Sequence, residues 1–351
     1  MSQETAVWLN TNVLVGFTDK RGSAWHYRAA DQGAEPNHYP GPVPVEDVQR
    51  RLFAWQAESR PVGMQLPADL DTATGITDDG QPVRWETLGG RQAIVRSDTG
   101  ALLGLFKGGY VPHQYREWLL GTVASILDDD LSIGSAGLLK GGAVAWVSVE
   151  VPDTVTTPEG VAFRPSLLAV TSFDGSLATT FKRVVTNVVC DNTMAAGLRE
   201  RGQQFKARHS RHSGMRLAEA RDALAIVHTV ADDFAAEVKE LCAVSVSDGQ
   251  WRAFLDAHVP TPKDGKDSRG RTLAESKRAT LGKLYRYDAR VAPWQGTAFG
   301  VVQAVNTFTH HEGTVRGMSR AERNMLRAVD GGVDTLDAET LGTLTKVLSR
   351  S

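Results

Sequence analysis

The chain reads as an α+β protein with an antiparallel β-meander followed by helices, a β-β-β-α core carrying a helical carboxy-terminal part. Three observations predict this. Apolar, β-branched runs follow one another from Ala143 to Val189 across turn-rich sequence. Beyond Leu217 the apolar spacing changes from alternation to three-and-four. A composition of 41% hydrophobic and 23% charged residues over 351 positions supports a real core. Two regions are expected: an α+β domain over 1–245 and a mostly helical region over 246–351, with a polar, mobile loop over 260–272.

In chain order, Thr5 to Asp19 alternates loosely and predicts a strand. Pro and Gly between Tyr39 and Pro44 mark a loop, and Val48, Leu52 and Trp55 then space a short helix over Val45 to Ala57. Val83 to Leu88, Arg91 to Arg96 and Ala101 to Phe106 are strand-like, the last two joined by the turn Ser97-Asp98-Thr99-Gly100. His113 to Leu127 carries a helical stripe of Tyr115, Trp118, Leu119, Val123 and Ile126. The meander comprises Ala143 to Val151, Leu167 to Phe173 and Leu177 to Val189. Asn192-Thr193 is expected to cap a helix through Ala196 and Leu198, and a long helix follows from Leu217 to about Leu241. A helix with Phe299, Val302, Val305 and Phe308 precedes His310-His311, and two short helices, Arg320 to Val329 and Asp337 to Leu348, close the chain.

Several function classes find no support. The longest apolar runs, such as Ala143 to Val149, fall far short of the roughly 20 residues that span a bilayer. Met1-Ser2-Gln3-Glu4 lacks the basic start and apolar core of a leader, so a cytoplasmic protein with no membrane partner is expected. Cys190 and Cys242, both in apolar sequence, offer neither a disulfide framework nor a zinc cluster. Leu139-Lys140-Gly141-Gly142 and Lys107-Gly108-Gly109 lack the spacing of nucleotide-binding loops, and no serine occupies a nucleophile elbow. No cofactor is expected, and a non-enzymatic role is favoured.

Ordered blocks give the chain a family likeness. They are Ala54-Trp55-Gln56-Ala57-Glu58-Ser59-Arg60-Pro61-Val62, Ala93 to Val111, Phe173-Asp174-Gly175-Ser176, and Val184 to Leu198 with Val189-Cys190-Asp191-Asn192-Thr193. Together with Asn306 and His310-His311, this arrangement resembles the domain-of-unknown-function family 932. Trp25-His26 is kept, but Tyr27-Arg28-Ala29 stands where the family has a glycine-rich continuation. The resemblance implies a phage, prophage or plasmid setting, where replication and recombination functions are common. The β-β-β-α order is also similar to the core of the Rad-fifty-two superfamily of single-strand annealing proteins, which assemble as rings or helical filaments.

Charge segregation supplies the candidate site. From residue 182 to 216 there are eight cations, Lys182, Arg183, Arg199, Arg201, Lys206, Arg208, Arg211 and Arg216, against Asp191 and Glu200. This surplus of six lies in a chain of net charge −2, so the remaining residues carry eight more acids than bases. Lys182 and Arg183, the first candidates, fall on opposite faces of the third meander strand, so at least one is expected to line a basic groove, and the helix start at Asn192-Thr193 would present free amides to a phosphate. Phe181, Tyr110, Trp146 and Phe205 are candidate stacking surfaces, although aromatics in such runs more often belong to a core.

Other polar clusters have blander readings. The second basic stretch, Lys263, Lys266, Arg269, Arg271, Lys277 and Arg278, with Lys283, Arg286 and Arg290 beyond it, is diluted by Asp264, Asp267 and Glu275. It reads as ordinary surface. Asp128-Asp129-Asp130 reads as a solvated turn, and His310-His311 as a helix-end hydrogen-bonding group.

The function expected is single-stranded DNA binding and ATP-independent annealing in phage or mobile-element recombination, by a homo-oligomeric ring or filament. The alternatives are a metal-dependent enzyme of nucleic-acid metabolism and a structural or host-interaction protein of a mobile element.

Overall fold

The computed structural model describes residues 3–21, 30, 32, 34–127, 131–151, 153–187, 192–195, 205–207, 217–262 and 268–350. The chain is α+β, with two antiparallel sheets in the amino-terminal part and helices in the carboxy-terminal part.

The chain opens with helix α1 (Gln3–Asn12), strand β1 (Val13–Val15) and a short helix α2 (Thr18–Arg21). The expected strand over Thr5 to Asp19 is therefore mostly helix. Side chains help close it, with Thr11 Oγ1 donating to the Val7 carbonyl at 2.8 Å and Asn12 Nδ2 to that of Trp8 at 2.9 Å. Helix α3 (Val45–Leu52) stops short of Ala57, because Phe53 leaves helical geometry and Ala57 already belongs to the next strand.

A small sheet follows, made of β2 (Ala57–Pro67), β3 (Gly75–Ile76), β4 (Pro82–Arg96) and β5 (Leu102–Lys107). The two strand segments expected around residues 83–96 are one continuous strand through Gly89 and Gly90, the latter at φ +73°. The hairpin across Ser97 to Gly100 forms as the sequence indicates, pairing β4 with β5. The base of this sheet is anchored in the core through Ala57, Ile94 and Leu103. A wide helical turn (Tyr115–Leu120) then runs into α4 (Gly121–Ala124) and sets Tyr115, Leu119 and Val123 inward.

The large sheet is built from β1, β6 (Ser132–Leu139), β7 (Val144–Glu150), β9 (Ala162–Ser172), β10 (Thr179–Asn187) and β11 (Asn192–Ala195), in that order and antiparallel throughout. Short β8 (Val155–Thr156) adds to β9, and β12 (Phe205–Ala207) adds to β10. The meander of β7, β9 and β10 is the one read from sequence.

All seven residues of β7 are buried, as a strand covered on both faces requires. Trp146 and Val144 share one face with Leu168, Val170 and Val184, covered by Leu9 and Val329. Ala145, Val147 and Val149 face the opposite way, against α3, the wide turn and α4.

Helix α5 (Leu217–Ala243) crosses β9 and β10, with Phe234 meeting Phe163 edge-on at 4.7 Å. Helices α6 (Asp248–His258), α7 (Ser268–Tyr287), α8 (Ala298–Thr307), α9 (Arg320–Asp330) and α10 (Gly332–Leu348) complete the chain. The stretch 268–272, assigned from sequence to the polar loop, is the first part of α7. Every residue of α8 is buried, which makes it the central helix of this region. Each large apolar side chain it withdraws from water contributes about 1.5–3 kcal/mol.

Candidate nucleic-acid interface

Strand β10 carries the first two cations of the basic segment, and its alternation sends them to opposite faces, as the period of two requires. Lys182 is buried, and its ammonium donates to the Val329 carbonyl at 2.7 Å. Val329 lies in the last turn of α9, where unpaired carbonyls and the negative helix end favour a cation. The next helix is preceded by Gly331, held at φ +91°, where an added Cβ would meet the same ammonium at 3.5 Å. Lys182 thus closes a helix end rather than lining an open groove. Burial raises the Asp334 carboxyl above its usual range, and Lys182 partly offsets this.

Arg183 faces α5. Its Nη1 lies 3.4 Å from Asp233 Oδ2, a long contact, and its buried Nε has no hydrogen-bond partner among the described residues. Among the described residues the guanidinium thus has its long contact to Asp233 and an Nε without an acceptor, which is uncommon for a buried polar group.

The sheet edge beyond Arg183 differs from the sequence expectation. Asn192–Ala195 is strand β11, registered Asn187 to Asn192 through Val184 to Ala195 on β10, so the expected helix cap at Asn192-Thr193 and its phosphate-ready amides do not form. The cause is the unfilled backbone edge of β10. Running antiparallel to β10, Asn192–Ala195 satisfies its N–H and C=O groups there directly.

Strand β12 takes the other half of the same edge, with Lys206 registered opposite Thr180. The basic segment thus leaves β10, returns at β11, and returns again at β12. Arg199, Arg201, Arg208, Arg211 and Arg216 lie outside the described residues, and no contact is assigned to them.

Of the candidate stacking rings, Phe181 and Trp146 are core residues, each 1% exposed. Tyr110 is half-buried and stacks on Phe106 at 3.8 Å. Phe205 pairs with Phe181 through the backbone of β12.

The histidine pair divides. His310 is buried, its Nδ1 meets the Asn306 carbonyl at 2.8 Å, and desolvation pushes its pKa down to about 4. A neutral ring with Nδ1–H as donor is the species that fits, the hydrogen-bonding role read from sequence. Beside it, Asn306 donates to Asp337 at 2.8 Å, both fully buried, joining α8 to α10. Sequence reasoning did not find Asp337, because one acid in an amphipathic helix gives no sign of facing inward. Among the described residues no group of three or more His, Cys, Asp or Glu could hold a metal ion. The acidic triplet 128–130 lies outside the described residues.

No helix among the described residues is long and apolar enough to cross a membrane. A family described as a domain of unknown function, DUF932, matches residues 102–330. That span contains the Phe173-Asp174-Gly175-Ser176, Val184 to Leu198 and Asn306 to His311 blocks, while Trp25-His26 and the Ala54 to Val62 block lie before it. No curated protein and no solved structure matches the chain, so the topological likeness to the Rad-fifty-two superfamily has no matching structure behind it.

Proposed function

The chain belongs to the DUF932 family, and from that starting point we propose that it binds single-stranded DNA and anneals complementary strands without ATP, as a homo-oligomer serving phage or mobile-element recombination. The observation that carries the reading is charge segregation. Residues 182–216 hold a surplus of six positive charges inside a chain of net charge −2, and the segment is fastened to one sheet edge through β10, β11 and β12. A polyanion of flexible shape suits such a segment, because backbone phosphates are neutralised without a rigid groove.

In this reading Arg199, Arg201, Lys206, Arg208, Arg211 and Arg216 take phosphates, the partly exposed guanidinium of Arg183 is the contact nearest the sheet, and Lys182 serves the fold. The family resemblance adds the setting, a mobile element in which strand annealing is a common need.

The test is a fluorescence-anisotropy titration of the full chain with a labelled single strand and with its duplex, at two salt concentrations and without metal. Tight, salt-sensitive preference for the single strand is the expected result. Alanine at the six outer cations should weaken binding greatly, and each lost contact should lower the salt slope by about 0.7. Absence of binding to either form at low salt, or an unchanged affinity in the six-site variant, would overturn the assignment.

A further inference from the structure

The exposed apolar side chains are unevenly distributed. Of thirteen large hydrophobics left in solvent among the described residues, eight fall between Met64 and Val111, seven of them within the span of the small sheet. The outer part of that sheet, residues 61–67 paired with 82–92, contains no buried residue, so water reaches both of its faces. This ribbon, two-stranded between the short β3 at its tip and β5 at its base, has no covered face and is marginal alone, and a concentration of apolar surface of this kind marks an interaction site.

The tip of the ribbon also has a distinct charge. Asp69, Asp71, Asp78 and Asp79 are all exposed, none has a salt-bridge partner among the described residues, and no Lys or Arg occurs between Pro61 and Val83. Leu70 and Ile76, 82% and 69% exposed, stand among them.

The outer face of α7 has the complementary character. Arg269, Arg271, Lys283 and Arg286 are exposed there without salt-bridge partners among the described residues, opposed by Glu275. Leu273 and Tyr287, 63% and 78% exposed, give the same helix its own apolar points.

We infer that the acidic ribbon tip of one copy docks on the basic outer face of α7 in a second copy, and that this contact builds the assembly head to tail. Two different surfaces meet, so the interface is heterologous. Such a contact closes into a ring if the rotation per copy permits and otherwise continues as a filament. The inference deepens the assembly half of the proposed function, and DNA-free measurements separate its failure from failure of strand binding.

The experiment is sedimentation velocity of the full chain without DNA, using two charge-reversed proteins. One carries Asp69→Lys, Asp71→Lys, Asp78→Lys and Asp79→Lys, and the other carries Arg269→Glu, Arg271→Glu, Lys283→Glu and Arg286→Glu. The wild type should self-associate, less so in high salt. Each variant alone should associate more weakly by over about tenfold, since like charges then meet. An equimolar mixture should regain assembly, because each tip finds an opposite charge on the other protein's α7. A monomeric wild type, variants that assemble as the wild type does, or a mixture that stays dissociated would overturn the inference. Should circular dichroism show either variant unfolded, Leu70→Asp and Leu273→Asp take their place; each should dissociate the assembly, and wild-type assembly in both would overturn it.

Discussion

The Lys182 ammonium donates to the Val329 carbonyl at 2.7 Å, joining the third strand of the meander to the last turn of α9. The bond places a cation from the basic segment inside the protein, where it neutralises a helix end. Lys182→Met keeps most of the side-chain volume and leaves that carbonyl without its donor. We expect a loss of about 1–3 kcal/mol in urea unfolding with little change in single-strand affinity. A folded, equally stable variant that has lost DNA binding would return Lys182 to the interface.

Arg183 and Asp233 give the opposite expectation. Their 3.4 Å contact involves a carboxylate that is more than half exposed, so Asp233→Asn should change stability by less than about 1 kcal/mol. Removing the negative charge beside a phosphate-binding guanidinium should tighten single-strand binding by roughly threefold and steepen its salt dependence. Unchanged or weaker binding would remove Arg183 from the contact set.

The strand at Asn192–Ala195 is testable with proline. At the first position of a helix capped by Asn192, Thr193→Pro would be well tolerated. In a strand, alternate N–H groups enter the ladder, so one of Thr193→Pro and Met194→Pro should remove a bond to β10 and destabilise the protein by about 1–3 kcal/mol. Thermal melts of both variants decide the matter, and two neutral outcomes would favour the helix.

His310 sets an acid limit on stability. Its pKa falls from the ordinary 6.5 to about 4 on burial, so between those values the unfolded chain binds the proton and the folded chain does not. Its contribution is complete above about pH 6.5 and is lost as the pH falls towards 4, amounting to at most about 3 kcal/mol. His113 and His258, also pushed down to about 4 by burial, act in the same direction. Denaturant titrations at several pH values should show a shallower fall for His310→Gln than for the wild type, and identical slopes would exclude this role.

The α+β class, the β7-β9-β10 meander, the hairpin across Ser97 to Gly100 and helices α5, α8, α9 and α10 were all legible in the sequence. Each rests on a local period or turn signal that the chain carries without its neighbours. The opposite facing of Lys182 and Arg183 was legible for the same reason, since alternation is a property of any strand. Which cation would be buried was not, because that depends on α9, nearly 150 residues away, ending above one face of β10. Asn192-Thr193 reads locally as a cap, yet the unfilled edge of β10 makes it a strand, and an edge exists only once the sheet has formed. The sequence by itself determined the period of each element and the segregation of charge. Tertiary structure alone decided which polar groups face inward, because burial is set by contacts between segments far apart in the chain.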